Sequence, residues 1–251
     1  MRIAPKVLRW VGIGLGGLLG VVVIAAVVLY VLGGSRLNKT HDIQVEAVAV
    51  PTDEEAIARG RHFAEAVTVC QGCHGDNLEG DLLFGVTGIA SVYASNLTSG
   101  QGGIGVTYSD TDYVRAIRHG VNPEGRGLMI MHSDIFHNIS EEDLGAIIAY
   151  IKSVPPVDNE IPGSSVAPLG RILVALGLFD DEALPLIPAE VIDHDAPFTR
   201  MPAQGATPEY GQYLMSITLC NMCHGSDLKG GRSSDPELLG PNIVSLSAPG
   251  R

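Results

Sequence analysis

Two segments of the chain, VTVCQGCHGDNLEG at 67–80 and ITLCNMCHGSDLKG at 217–230, each carry a pair of cysteines followed directly by a histidine. They hold all four cysteines, Cys70, Cys73, Cys220 and Cys223, which leaves none for an ordinary structural disulfide. A C-x-x-C pair can be half of a zinc site, a redox dithiol or a haem attachment point. His74 and His224 choose among them. In C-x-x-C-H the two sulfurs add to the vinyl groups of a haem, and the adjacent imidazole ligates its iron. A four-cysteine zinc site would leave both histidines without a role. A thioredoxin-like dithiol would need a strand–helix setting, which the surrounding sequence does not signal. The expectation is two covalently attached haem c groups, on Cys70, Cys73 and His74 and on Cys220, Cys223 and His224, with iron at His74 and His224.

The likeness extends outward from the motifs. ARGRHFAEAVTVCQGCHGDNLEG aligns with PEYGQYLMSITLCNMCHGSDLKG and sets Gly60 beside Gly211. A separation of 150 residues between Cys70 and Cys220 is too long for a solenoid repeat, so two homologous haem domains are expected. Helices must position the first motif. Thr52 and Glu55 read as a capping box before EEAIARGRHFAEAV, with Ile57, Phe63 and Val67 as apolar points. A second helix opens at Ser109 in SDTDYVRAIRHG and closes at Gly120. A third opens at Ser140, buries Leu144, Ile147, Ile148 and Ile151, and ends at Pro155 and Pro156.

The first 40 residues contain Arg2, Lys6, Arg9, Arg36 and Lys39 and no acid. Removing those five positive charges from the formal −12 of the chain leaves −17 on the other 211 residues. So acidic a body excludes phosphate-backbone recognition, and no nucleic-acid partner is expected. Between Arg9 and Arg36 lie 26 uncharged residues, WVGIGLGGLLGVVVIAAVVLYVLGGS. About 20 apolar residues span a bilayer, whereas the apolar core of a cleaved signal is about 7–15 residues. The run therefore reads as a retained single-pass anchor. Arg2, Lys6 and Arg9 keep the N-terminus cytoplasmic, which places the rest on the periplasmic face of a bacterial inner membrane.

With these pieces in view, residues 52–156 resemble a class I cytochrome c domain of the membrane-anchored, multi-haem periplasmic type. The resemblance rests on GRHFAEAVTVCQGCHG, YASNLTSGQGGIG, DYVRAIRHGV and SEEDLGAIIAYIKSVPPVDN. It implies a mainly α protein: a cytoplasmic N-terminus and transmembrane helix (1–40), a first cytochrome c domain (41–156), a proline-rich linker with a short apolar helix (157–206) and a partial second domain (207–251). It implies an electron carrier rather than an enzyme, like cytochrome subunits of periplasmic dehydrogenases or donors to terminal oxidases. The partners would be a dehydrogenase or quinol-oxidising complex on one side and a cytochrome or oxidase on the other. A dihaem peroxidase with an open second haem site is the alternative. The family also implies a methionine ligand shortly before the last helix. Met131, nine residues before Ser140, fits that pattern better than Met129, and His132 opens histidine ligation as a further alternative.

The remaining residues carry weaker signals. His41, His62, His119, His137 and His194 read as mostly solvated, and Arg115, Arg118 and Tyr108 read either as propionate contacts or as part of a solvated face. PLGRILVALGLF, too short to cross a membrane, is expected to pack against one or both haem domains. The rest of the linker is expected to be an ordered strap or a loose tether. After His224 only 27 residues remain and no methionine follows Met222. The expectation is that the chain is a fragment of a longer protein, with Pro241 accepting the His224 ring N–H through its carbonyl.

Overall fold

The computed structural model describes residues 5–180, 184–225, 227–230 and 240–244. It begins with one long helix, α1 (Pro5–Leu37). Its segment Arg9–Leu37, 29 residues of mean hydropathy 2.8 in its most apolar stretch, is long and apolar enough to cross a membrane. Among the described residues almost nothing covers that surface, as an apolar helix turned toward lipid requires.

Helix α2 (Glu54–His62) starts one residue later than the capping-box reading allows. Its cap is Asp53, whose carboxylate accepts the Ala56 N–H at 2.9 Å. A negative group at this end also meets the positive end of the helix dipole, an advantage Thr52 lacks. The helix runs on into a π-helical turn (Phe63–Val67) and leads to α3 (Gln71–His74), which carries the first motif. A hairpin follows, β1 (Asp81–Val86) and β2 (Ala90–Ala94), paired antiparallel. The cap readings for the next helices hold. Helix α4 (Asp110–His119) has a reciprocal Ser109–Asp112 box at its start and left-handed Gly120 at its end. After α5 (Ser133–Phe136), α6 (Glu141–Ser153) is capped by Ser140 and buries Leu144, Ile147, Ile148 and Ile151.

The core forms where α2 crosses α6, with Phe63, Tyr113, Val114, Leu144, Ile147 and Ile148 inside it. Gly60 makes that crossing possible, since a Cβ there would collide with the Ala146 carbonyl of α6. The aligned Gly211 is different: nothing described lies within 4 Å of where its Cβ would stand.

Four features differ from expectation. The hairpin was not foreseen, and it gains a third strand, β3 (Ser165–Val166), from the linker. The apolar linker helix α7 (Pro168–Ala175) packs on the end of α1, which was not foreseen, as well as on the hairpin, which falls within residues 41–156 as expected. Arg118 is neither solvated nor turned to a propionate. Buried, it donates to the carbonyls of His137 at 2.5 Å and Ala196 at 2.7 Å, with its guanidinium 4.0 Å from the Phe198 ring centre. Finally, the histidines gather. His119 Nδ1 lies 3.1 Å from His194 Nδ1, and the His137 and His41 rings adjoin them. His194 Nε2, 3.0 Å from the Ala189 carbonyl, must carry its proton there. In neutral His194, Nδ1 then accepts from His119 Nδ1–H. In this way the described linker residues form an ordered strap.

Two further helices, α8 (Pro208–Ile217) and α9 (Cys220–His224), carry the second motif. Buried Tyr213 and Ile217 of α8 belong to the same core as α2 and α6. Tyr213 donates its hydroxyl to Asp143 at 2.6 Å and accepts the Ser140 N–H at 3.1 Å. Arg59 of α2 pairs with the same fully buried carboxylate at 2.5 Å. A buried charge is costly without partners, and here the partners come from two other helices.

Gly60→Ala should lower stability by about 1–3 kcal/mol, the range for overpacked sites. Gly211→Ala should raise it by up to about 1 kcal/mol through helix propensity. Urea unfolding midpoints of the haem-loaded chain compare the two. A second expectation concerns pH. Burial, then the charges of His194, Arg118, His137 and Arg115, push His119 down to about 3. Below about pH 6.5 the unfolded chain takes up a proton that the folded chain refuses. This group therefore costs stability progressively as pH falls from about 6.5 toward 3, by up to about 1.4 kcal/mol per pH unit, and contributes no slope above that window. In urea titrations across that range, His119→Gln should flatten the slope.

Candidate functional site

A short turn of helix presents the first motif. Backbone bonds from Cys73 and His74 to the Cys70 carbonyl, at 3.2 and 2.9 Å, put both thiols and the imidazole on consecutive turns of one short rod. Thr68 Oγ1 lies 3.4 Å from Cys70 Sγ. Burial raises both thiols above the usual range, which disfavours free thiolate chemistry. His74 Nδ1 lies 2.8 Å from the Ser95 carbonyl. An oxygen can only accept, so the proton sits on Nδ1 and Nε2 keeps its lone pair for a metal. Burial lowers the His74 pKa, which favours the neutral, ligating form.

The Ser95 carbonyl is itself held in place. Buried Asn96 next to it donates to the carbonyls of Val157 at 2.8 Å and Asn159 at 3.3 Å, and accepts from Thr98 N and Oγ1. Sequence reasoning missed this brace. The signal was the match of SNL at 95–97 to PNI at 241–243, which pairs Ser95 with Pro241.

Cys70, Cys73 and His74 line a cavity of about 620 Å³, within the range of cofactor pockets. Its other walls are largely apolar and include Leu97, Ile117, Phe136, Ile147 and Ile151. Met131 lies on this wall, as do Met129 and His132. Between the two methionines, Ile130 holds a left-handed φ of 65°. A β-branched residue there is strained, and such strain persists where the surroundings demand a particular loop shape. Met129 also borders a second, apolar cavity of about 170 Å³ with Phe84, Val174 and Phe179, which Met131 does not. His132 is buried, and its Nδ1 has no hydrogen-bond partner among the described residues. Tyr108 lines the cavity, and burial pushes its hydroxyl up to about 12. The residues present fit a covalently held haem: two thiols and an imidazole with a free nitrogen, on the wall of an apolar cavity that also carries a thioether.

The second motif repeats the local geometry. His224 Nδ1 lies 2.8 Å from the Pro241 carbonyl. Thr218 Oγ1 lies 3.2 Å from Cys220 Sγ. Leu78 and Leu228 both take left-handed φ, 61° and 58°, and the glycines after each motif match as well. Thr98 N donates to Asn96 Oδ1 at 2.9 Å, and Val244 N donates to Asn242 Oδ1 at 3.0 Å. The residue before the second motif, Leu219, stands in the wall of the first cavity. The two attachment segments are therefore neighbours in space.

Helices closing over an apolar cavity, with a thiol–thiol–imidazole turn braced by a loop carbonyl, define an electron-transfer domain that holds haem covalently. Residues 57–155 match the cytochrome c family model, and this segment is a cytochrome c domain. Across 67% of the chain, 177 residues are 29% identical to the fructose dehydrogenase cytochrome subunit of Gluconobacter japonicus, covering 34% of that protein. The gluconate 2-dehydrogenase cytochrome c subunit of Pantoea cypripedii is 34% identical over 44% of the chain and 27% of its own length. A nicotinate dehydrogenase subunit of Pseudomonas putida is 32% identical over 44% of the chain and 10% of its own length. The chain thus spans about a third or less of each of these relatives.

Met131→Ala should remove the sulfur-to-iron charge-transfer band at the red end of the oxidised spectrum and lower the potential of one haem, with both thioethers kept. Met129→Ala should leave the band and cost at most about 2–5 kcal/mol of packing. Loss of the band in Met129→Ala alone would move the ligand there. Loss of axial ligation in His132→Ala alone would assign it to the imidazole.

Proposed function

We propose that the protein is a membrane-tethered dihaem c-type cytochrome. It passes electrons between a periplasmic dehydrogenase or quinol-oxidising complex and a downstream cytochrome or terminal oxidase. The observation that carries this reading is the doubled site: two Cys-x-x-Cys-His turns, each with its histidine Nδ1 at 2.8 Å from a loop carbonyl. Similarity to cytochrome subunits of fructose and gluconate dehydrogenases supports a dehydrogenase as donor.

Bound haem would supply the reversible one-electron change. The chain supplies the rest. Cys70 and Cys73 hold the first group, Cys220 and Cys223 the second, and His74 and His224 present Nε2 to iron. Met131 offers a thioether that favours the reduced state and raises the potential. The apolar wall around it excludes water, which pushes the potential the same way. Leu219 links the wall of one cavity to the turn carrying the other attachment site, so the second motif begins at the first pocket. Helix α1, with Arg2, Lys6 and Arg9 before its apolar span, supports a single-pass anchor with the haem segments on the periplasmic side.

Produced in a host with cytochrome c maturation, the chain should retain two haems after denaturation. Cys220→Ala with Cys223→Ala should leave one. A single haem in the unaltered chain would overturn the dihaem reading. High salt should leave the protein in the membrane fraction and detergent should release it, and reporters fused after residue 40 should be active only in the periplasm. A mature N-terminus near residue 34 would show that α1 is a cleaved signal.

A further inference from the structure

We propose that α7 and the residues just after it lie in the outer headgroup layer of the bilayer, holding the mouth of the first haem cavity at the membrane surface. The inference rests on the reading of α1 as an anchor. Trp10 and Tyr30 are separated by 20 positions in an unbroken helix, about 30 Å at 1.5 Å per residue. That is the thickness of a bilayer's hydrocarbon core, and aromatic rings of this kind collect at its two borders. Tyr30 therefore marks the outer border.

Helix α7 is fastened at this level. A Cβ on Gly33 would collide with the Arg171 carbonyl, so the two backbones touch. The Arg171 guanidinium lies 5.2 Å from the Tyr30 ring centre and donates to the Tyr30 hydroxyl at 3.4 Å. Just above, Arg36 is clamped by Asp180 at 2.6 Å and Glu190 at 2.7 Å, which ties the chain that follows α7 to the end of α1.

The face of α7 turned away from the protein is apolar. Gly170 and Val174 are buried against the body, while Leu169 and Leu176, seven positions apart and so on one side, are 52% and 53% exposed, and Leu178 beyond the helix is 65% exposed. Arg171 is the only charged residue in PLGRILVALGLF. In water such a face would be polar, whereas a helix lying in the headgroup layer presents leucines to the acyl boundary. The occupant is lipid because α7 packs directly on the outer end of α1, whose exposed apolar surface is the one turned to lipid. Leu37, Asn38 and Arg171 also line the first cavity, so its rim begins within about 10 Å of the Tyr30 level. An electron partner that lies on or in the membrane would reach this rim directly.

Spin labels test the placement in the full-length, haem-loaded and reduced protein, in vesicles of phosphatidylcholine and phosphatidylglycerol. Single cysteines replace Leu169, Leu176 or Leu178, with Leu15→Cys in mid-span and Glu54→Cys on the exposed acidic surface as references. Relative accessibility to oxygen over a water-soluble nickel chelate should be several-fold higher at 169, 176 and 178 than at 54, approaching that at 15. Values at the three leucines equal to that at 54, with 15 still in lipid, would overturn the inference and leave the anchor standing. Labels at the three leucines shielded from both reagents would mean that protein, such as a second copy of the chain, covers the patch, and would also overturn it. A water-accessible label at 15 would bring down the anchor reading and this inference with it.

Discussion

Helices α2 and α6 touch backbone to backbone at Gly60 and Ala146, and most of the molecule follows from that contact. A closer crossing brings Phe63 of the following π-turn and the Leu144, Ile147, Ile148 stripe into one core. Ile147 and Ile151 also face the cavity on the other side, so the helix that closes the core is the wall of the pocket. The crossing is then locked electrostatically. Asp143 sits fully buried on α6, and its charge is tolerable because Arg59 of α2 and Tyr213 of α8 both reach it. Removing either partner would leave a carboxylate in a medium that cannot solvate it.

That same carboxylate explains why the second motif is not an independent appendage. Tyr213 bridges Asp143 and the Ser140 cap, Ile217 is fully buried beside the first helices, and Leu219 enters the wall of the first cavity. Electron transfer between covalently held groups depends steeply on their separation and orientation. On the proposed dihaem reading, fixing α8 by a buried, charge-assisted network rather than by a loose tether would keep that separation constant. The strap from 157 onward contributes in the same way, through Arg118 on the Ala196 carbonyl and the His119–His194 contact.

At each attachment site the imidazole is oriented by a loop rather than by the helix that carries it. Ser95 and Pro241 offer only backbone carbonyls, and Asn96 makes the first of these rigid through its bonds to the segment following α6. The His74 ring is thereby coupled to the end of the last helix of the domain. If His74 ligates iron as proposed, disturbance of that helix would be felt there without any change in a ligand.

The chemistry was legible in the sequence because it depends on covalent spacing. Cys-x-x-Cys-His works on any short helical turn, and helix caps such as Ser109, Gly120 and Ser140 act within three or four residues of themselves. The apolar length of α1 and the burial stripe of α6 are likewise periodic, local properties. What depends on residues far apart was not legible. The linker strand β3 completes a sheet by pairing with a strand some 70 residues earlier, Ser165 opposite Ser91. The histidines looked solvated because each lies at a helix end or in a polar stretch, yet His119 and His194 meet across 75 positions and are half-buried or buried together. Arg118 resembled a surface or propionate residue until the strap folded over it. The choice among Met129, Met131 and His132 turns on a strained loop whose shape Ile130 alone does not dictate. Sequence therefore singled out the candidate groups for holding the cofactor, since bonding patterns along a chain are short. Tertiary structure decided what surrounds them, because burial and charge pairing are set by whichever distant segments come to rest alongside.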